Sequence, residues 1–253
     1  MVATTGRSFA ADAGSEDERW APDPALAAAR AYTWVTQLVR HAQQVPDQAA
    51  LRFDGRTVTW SELADRASRV ASALARRGVR PGDRVATLML NHVEHVTALL
   101  GASWAGAIAV PVNFRLVGAE VAWILDNSGA TALVVDAATA PVAAAAREQV
   151  PAEVCLVVGG DPARAGTGAE DFEAAVAAEP ELPDAAGAAG VACGRFPYAQ
   201  VQETDTFLLM YTSGTTGHPK VAMLTHLNLL RQAITSSART TRASSTWWTA
   251  RRT

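Results

Sequence analysis

Cysteine is scarce. Cys155 and Cys193 are the only two in 253 residues, and they show neither metal-ligand spacing nor a disulfide framework. Such usage fits a reduced compartment, so a cytoplasmic protein is the expectation. Acid is missing from one end: none follows Asp205, whereas Lys220, Arg231, Arg239, Arg242, Arg251 and Arg252 do. The last 48 residues therefore carry +6 and the first 205 carry −9. A basic tail can signal nucleic acid. Residues 235–253 lack any periodicity, however, and Trp247-Trp248 with Arg251-Arg252 is read as part of an aberrant basic tail with no nucleic-acid partner. The first 31 residues lack an apolar segment and mix Asp12, Glu16, Asp17 and Glu18 with Ala, Pro and Gly. That excludes a secretory signal and predicts a disordered arm over 1–31. One uncharged run, Val96 to Phe114, has the length of a membrane span. Gly101, Gly106 and Pro111 interrupt it, so a buried helix followed by a buried strand is expected and no transmembrane segment. No internal repeat of fixed period occurs.

What is present is enough apolar material for a core, 49% of residues, arranged as alternating helices and strands. A helix from Thr33 carries Val35, Leu38, Val39 and Ala42 on one face and ends at Pro46-Asp47. Ala49–Phe53 and Arg56–Trp60 flank Asp54-Gly55, a two-residue hairpin signal. Thr59-Trp-Ser-Glu62 is a capping box, and the helix after it turns Leu63, Ala67, Val70, Ala71 and Leu74 inward. Gly78 stops that helix and Arg80-Pro-Gly-Asp83 turns the chain. Strands are expected at 84–90, 107–112, 132–136 and 153–158, with helices at 93–105 and from about 142. This alternation predicts an α/β sheet. Residues 173–200, nearly all Ala, Gly, Pro and acid, read as a low-complexity connector outside the core.

The chemistry concentrates in Phe207-Leu-Leu-Met-Tyr-Thr-Ser-Gly-Thr-Thr-Gly-His-Pro-Lys-Val-Ala-Met-Leu-Thr-His226. Two apolar runs flank a loop of hydroxyls and glycines, which predicts strand, loop, strand. Gly214 and Gly217 let backbone N–H groups turn inward. Thr212, Ser213, Thr215 and Thr216 supply hydroxyl donors, and Lys220 supplies a positive charge. A phosphate is the guest such a loop suits. It is not a Walker A loop, because Lys220 follows Pro219 and precedes Val221, leaving no hydroxyl next to the lysine and no helix start. An ordinary Gly/Thr hairpin is the bland alternative. His226 is read as a capping or packing histidine with no chemical role.

Tyr211 to Lys220 resembles the signature of the adenylate-forming (AMP-binding) superfamily, aromatic-Thr-Ser-Gly-Ser/Thr-Thr-Gly-x-Pro-Lys-Gly. Val221 is the one departure, where the family has glycine. If that position needs a positive φ, valine is strained there and weakens the loop. Thr59-Trp-Ser-Glu-Leu63 and Gly101-Ala-Ser-Trp-Ala-Gly-Ala-Ile-Ala-Val-Pro-Val112 resemble two earlier family motifs, the second packing a helix on a strand through small residues. Asn113-Phe-Arg-Leu116 and Glu120-Val-Ala-Trp-Ile-Leu-Asp-Asn-Ser-Gly-Ala130 are similar to the acyl-CoA ligase branch. Arg115 and Glu120 are given no catalytic role.

The resemblance implies an α/β fold, specifically an incomplete, truncated N-terminal domain with parallel-rich sheets and flanking helices over 32–234. It implies an ATP-dependent carboxylic (fatty) acid:CoA ligase acting through an acyl-adenylate, with ATP, Mg2+ and CoA as cofactors and a small-molecule carboxylic acid as partner. Thr212, Ser213, Gly214, Thr215, Thr216, Gly217 and Lys220 would bind the ATP phosphates. The family motifs for adenine, ribose, metal and CoA do not follow the loop, so no catalytic set is complete, no metal ligand is assigned, and a fragment inactive alone is expected. The alternatives are a non-catalytic truncated or partner-binding module, or one half of a split enzyme.

Overall fold

Capping and turn chemistry set the first elements. The structure, a computed structural model, describes residues 32–180, 201–212 and 219–231. The Thr33 side chain accepts the Thr36 N–H at 3.2 Å and opens α1 (Trp34–Gln44), which buries Val35, Leu38 and Val39. Asp54 (φ 49°) and Gly55 (φ 77°) form the turn between β1 (Ala49–Phe53) and β2 (Arg56–Thr59). Both lie in the left-handed region that the tightest hairpin turns require. Glu62 accepts the Thr59 N–H at 2.8 Å and Thr59 accepts the Glu62 N–H at 3.3 Å, so the capping box opens α2 (Trp60–Arg76).

From β3 onward strands and helices alternate. The order is β3 (Arg84–Leu88), α3 (Val93–Trp104), β4 (Ile108–Val112), α4 (Gly118–Ser128), β5 (Ala130–Asp136), α5 (Ala140–Arg147) and β6 (Val154–Val158). A 3-10 turn over Pro162–Ala165 leads to β7 (Ala169–Asp171), α6 (Phe172–Ala177), β8 (Thr206–Thr212) and β9 (Lys220–Thr225). Residues 226–231 are helical. The seven strands lie in the order β7-β6-β5-β3-β4-β8-β9, parallel throughout except for the antiparallel β8–β9 pair.

Helices cover both faces, so the central strands are apolar on both sides, as parallel strands must be. Val85, Ala109, Ala132, Val134, Val154 and Leu156 face α2, α3 and α6, with Val70, Leu74, Ala98 and Phe172. Ala86, Leu88, Val110, Leu133, Val135 and Val157 face α4 and α5, with Val121, Ile124, Leu125 and Ala143. A third cluster joins α1 and the β1–β2 hairpin to α2 and α3 through Leu38, Val58, Leu63 and Trp104.

Two sequence expectations change, and a third is met. The connector starts later than its composition suggests: α6 occupies 172–177 and buries Phe172, Ala175 and Val176. Apolar spacing of three and four along one helix face overrides low complexity there. Arg76 then pairs with the buried Glu179 carboxylate at 3.1 Å, and Arg69 donates to the Glu179 carbonyl at 3.1 Å, so the order extends past the helix. Gly101 serves a helix–helix contact rather than helix-on-strand packing. A Cβ there would lie 2.4 Å from Val70 Cγ1 on α2, while Ala98 and Ala102 face the sheet. The uncharged run from Val96 divides into α3 and β4, and no described helix is long and apolar enough to cross a membrane. The expected arm (1–31), the rest of the connector (181–200), the tail and Cys193 lie outside the described residues.

Candidate functional site

Open α/β sheets bind ligands beyond the carboxyl ends of their strands, where neighbouring strands diverge. In this sheet β3 is followed by β4 on one side and by β5 on the other. The carboxyl end of that junction is filled by the protein's own groups. Asp136, at the end of β5, accepts the Leu90 N–H at 2.7 Å, the Thr139 N–H at 2.8 Å and the Thr139 hydroxyl at 2.9 Å. His92 Nε2 stands 3.5 Å from the same carboxylate. Thr87 and His95 Nε2 meet at 3.0 Å, and burial pushes the His95 imidazole below its ordinary pKa. These groups partner one another.

The other candidate is the end of β8. It runs parallel to β4, so it finishes at the same edge of the sheet. Thr212 ends β8 and Lys220 begins β9; they are register partners, and the Thr212 hydroxyl donates to the Lys220 carbonyl at 3.3 Å. Both side chains are exposed, and Lys220 makes no ion pair with any described residue. Ser213, Gly214, Thr215, Thr216 and Gly217, expected to complete the cradle, lie outside the described residues. The structure therefore brings together the two ends of the expected site. Val221 sits in β9 opposite Tyr211, 46% exposed, and Asp54 alone among described non-glycine residues has a positive φ. The backbone here is a strand, which valine favours, so the expected strain at Val221 is absent.

Sequence reasoning missed what holds the end of β8. The Tyr211 hydroxyl donates to Asn127 Oδ1 at 2.8 Å, and its ring meets Trp123 edge-on, with centroids 6.1 Å apart and planes at 89°. Burial raises the Tyr211 phenol above its usual pKa. Both partners lie on α4, four residues apart on one face. Arg115 lies over the Phe114 ring at 5.5 Å, and Glu120 accepts the Val117 N–H at 3.0 Å at the start of α4.

His226 follows β9 and is 1% exposed. Its Nδ1 accepts the Trp34 N–H at 3.2 Å, an otherwise unsatisfied donor in the first turn of α1. Its ring lies 5.0 Å from that of Phe207, and burial lowers its pKa to about 4. It is a neutral cap that joins α1 to the β8–β9 hairpin.

Metal ligands are wanting: among the described residues no group of three His, Cys, Asp or Glu could hold an ion. The exposed Thr212–Lys220 pair, by contrast, suits an anion.

The AMP-binding enzyme family model matches residues 38–251. A feruloyl-CoA synthase from Amycolatopsis sp is 38% identical over 191 residues, which are 76% of this chain and 33% of the relative. The long-chain-fatty-acid–CoA ligase FadD13 of Mycobacterium tuberculosis is 39% identical over 171 residues, 67% of this chain and 30% of that protein. Among solved structures, the anthranilate CoA ligase AuaEII in complex with anthranoyl-AMP superposes with a TM-score of 0.69 at 28% identity, covering 82% of this chain and 38% of that one. The chain thus spans about a third of the length of the curated relatives it matches.

Proposed function

The chain belongs to the AMP-binding enzyme family, and on that premise we propose that it carries the polyphosphate-holding part of an ATP-dependent carboxylic acid:CoA ligase. The observation that carries this reading is the meeting of Thr212 and Lys220 at the carboxyl edge of the sheet, with the hydroxyl- and glycine-rich stretch between them. In the reaction a carboxylate oxygen attacks the α-phosphorus of ATP, pyrophosphate leaves, and the acyl group then passes from the adenylate to the thiol of CoA. The relatives named for feruloyl-, long-chain-fatty- and anthranilate-CoA chemistry, one of them holding an acyl-AMP, support this reaction class.

The residues of this chain contribute electrostatics. The Lys220 ammonium offsets the charge that builds on the β,γ-phosphates as the P–O bond breaks. Hydroxyls of Thr212, Ser213, Thr215 and Thr216 donate to the same oxygens, and Gly214 and Gly217 let main-chain N–H groups approach. Mg2+ would neutralise polyphosphate charge in such chemistry, and the described residues offer it no ligand cluster.

The test is binding of ATP to the purified chain by equilibrium dialysis. Lys220→Ala should weaken binding about tenfold, the loss of one charge-assisted contact worth about 1.5 kcal/mol. Equal affinity in both proteins would overturn the reading. The chain alone should give no acid-dependent exchange of pyrophosphate into ATP, because binding without orientation of both reactants does not produce adenylate. Robust exchange that Lys220→Ala abolishes would refute that part.

A further inference from the structure

We propose that Trp123 and Asn127 are positioning residues for Thr212 and Lys220 and act on them through Tyr211. This rests on the reading that Thr212, Lys220 and the sequence between them hold polyphosphate. Trp123 and Asn127 are four residues apart on α4 and so stand one above the other on one face. Together they grip one side chain: the Asn127 amide oxygen takes the Tyr211 hydroxyl proton at 2.8 Å, and the Trp123 ring meets the Tyr211 ring at 89°. Tyr211 is the residue immediately before Thr212.

The grip has a fixed base. Arg84, at the start of β3, donates from Nε to the Ser128 carbonyl at 2.7 Å and from Nη2 to the Gly129 carbonyl at 2.6 Å. Gly129 closes α4 in the left-handed conformation, φ 61°. The last turn of α4 is therefore tied to the centre of the sheet.

The strand that is gripped is weakly held by its own backbone. Ala109↔Leu208 is the one register pair between β4 and β8. Pro111, two residues further along β4, has no N–H to continue that ladder. On its other side β8 pairs with β9, the outermost strand of the sheet among the described residues. Side-chain contact with α4 thus adds a restraint at Tyr211 to the packing of β8 on β4 and its ladder with β9. Where Thr212 and Lys220 stand relative to a bound phosphate follows from where Tyr211 is held.

The experiment measures ATP binding to the full chain by equilibrium dialysis for Tyr211→Phe, Asn127→Ala, their double variant, Trp123→Ala and Trp123→Phe, beside Lys220→Ala. Tyr211→Phe and Asn127→Ala should each weaken binding about threefold, the scale of one neutral hydrogen bond. The double variant should lose no more than either single one, because both remove the same bond. Trp123→Ala should lose about tenfold, and Trp123→Phe, which keeps an aromatic edge contact, should recover most of it. A merely structural role would lower melting temperatures and leave affinity unchanged. Wild-type affinity in the Tyr211 and Asn127 variants, or losses that simply multiply, would overturn the proposal. If Lys220→Ala loses binding while these variants keep it, the grip alone is wrong. If the unaltered chain binds no ATP, the polyphosphate reading falls and the grip falls with it.

Discussion

Acid should loosen the molecule at His226, and the size of the effect follows from its burial. The ring is 1% exposed and accepts the Trp34 N–H at Nδ1, so protonation would replace an acceptor with a buried cation facing a donor. Its pKa falls to about 4 chiefly because burial disfavours the charge, with the Asp205 carboxylate pulling more weakly in the other direction. In the unfolded chain the same group titrates near 6.5. Between these values the unfolded state binds a proton that the folded state refuses. Stability is therefore full above about pH 7, declines as pH falls through 6.5, and stops declining from this source near pH 4. At 1.36 kcal/mol per unit of pKa difference, the loss is about 3 kcal/mol. Urea unfolding followed by tryptophan fluorescence at several pH values between 4 and 7.5 reads it directly. His226→Asn keeps an acceptor at the δ position and cannot titrate, so the carboxylates shared by both proteins cancel in the comparison. The variant should be less stable at neutral pH and should show an acid loss smaller by about 3 kcal/mol. An acid loss equal to that of the wild type would refute the reasoning, as would a His226 imidazole titrating near 6.5 by NMR in the folded protein.

Two further substitutions probe packing and backbone. Gly101→Ala sets a methyl 2.4 Å from Val70 Cγ1, and overpacking of about 1–3 kcal/mol should exceed the helix-propensity gain of about 1 kcal/mol. A melting temperature at or above the wild-type value would contradict that balance. Val221→Gly restores the family residue in a strand with no positive φ. It should cost up to about 1 kcal/mol in stability and leave ATP affinity unchanged; tighter binding in the glycine variant would show that valine does harm the loop.

The local grammar of the fold is readable in the chain. The Asp54-Gly55 turn, the Thr59–Glu62 box and the stop at Gly78 depend on residues within a few positions of one another, and each forms as its spacing demands. The buried strands are equally plain, since both faces of β5 and β6 must be apolar. Strand order is not local, and nothing in the sequence of β3 says that β4 and β5 will flank it. In α6 the signal was present, Phe172, Ala175 and Val176 at helical spacing behind an Asp171 cap, but the alanine-rich composition around it hid the pattern. For the site, Thr212 and Lys220 were legible as a motif, and Val221 was not, because glycine can be required for its φ or merely be present. Contacts such as Tyr211 with Asn127, 84 residues apart, and His226 with Trp34, 192 apart, arise from the tertiary fold and have no sequence signature.

The order of strands across the sheet also bears on how the chain is made. Begin with β3: β4 adds on one side, then β5, β6 and β7 add in turn on the other, and finally β8 and β9 extend beyond β4. Every strand arrives at an edge that is already displayed, so none has to be threaded between two that are paired. The cost falls on β4, whose outer edge stays open from residue 112 until residues 206–212 have been synthesised. At ribosomal rates that wait lasts roughly 5–20 s. An open edge in a nascent chain invites pairing with another molecule, and proline within the strand is a recognised way to discourage it. Pro111, which leaves the finished β4–β8 ladder short, is the residue that guards that edge while it waits.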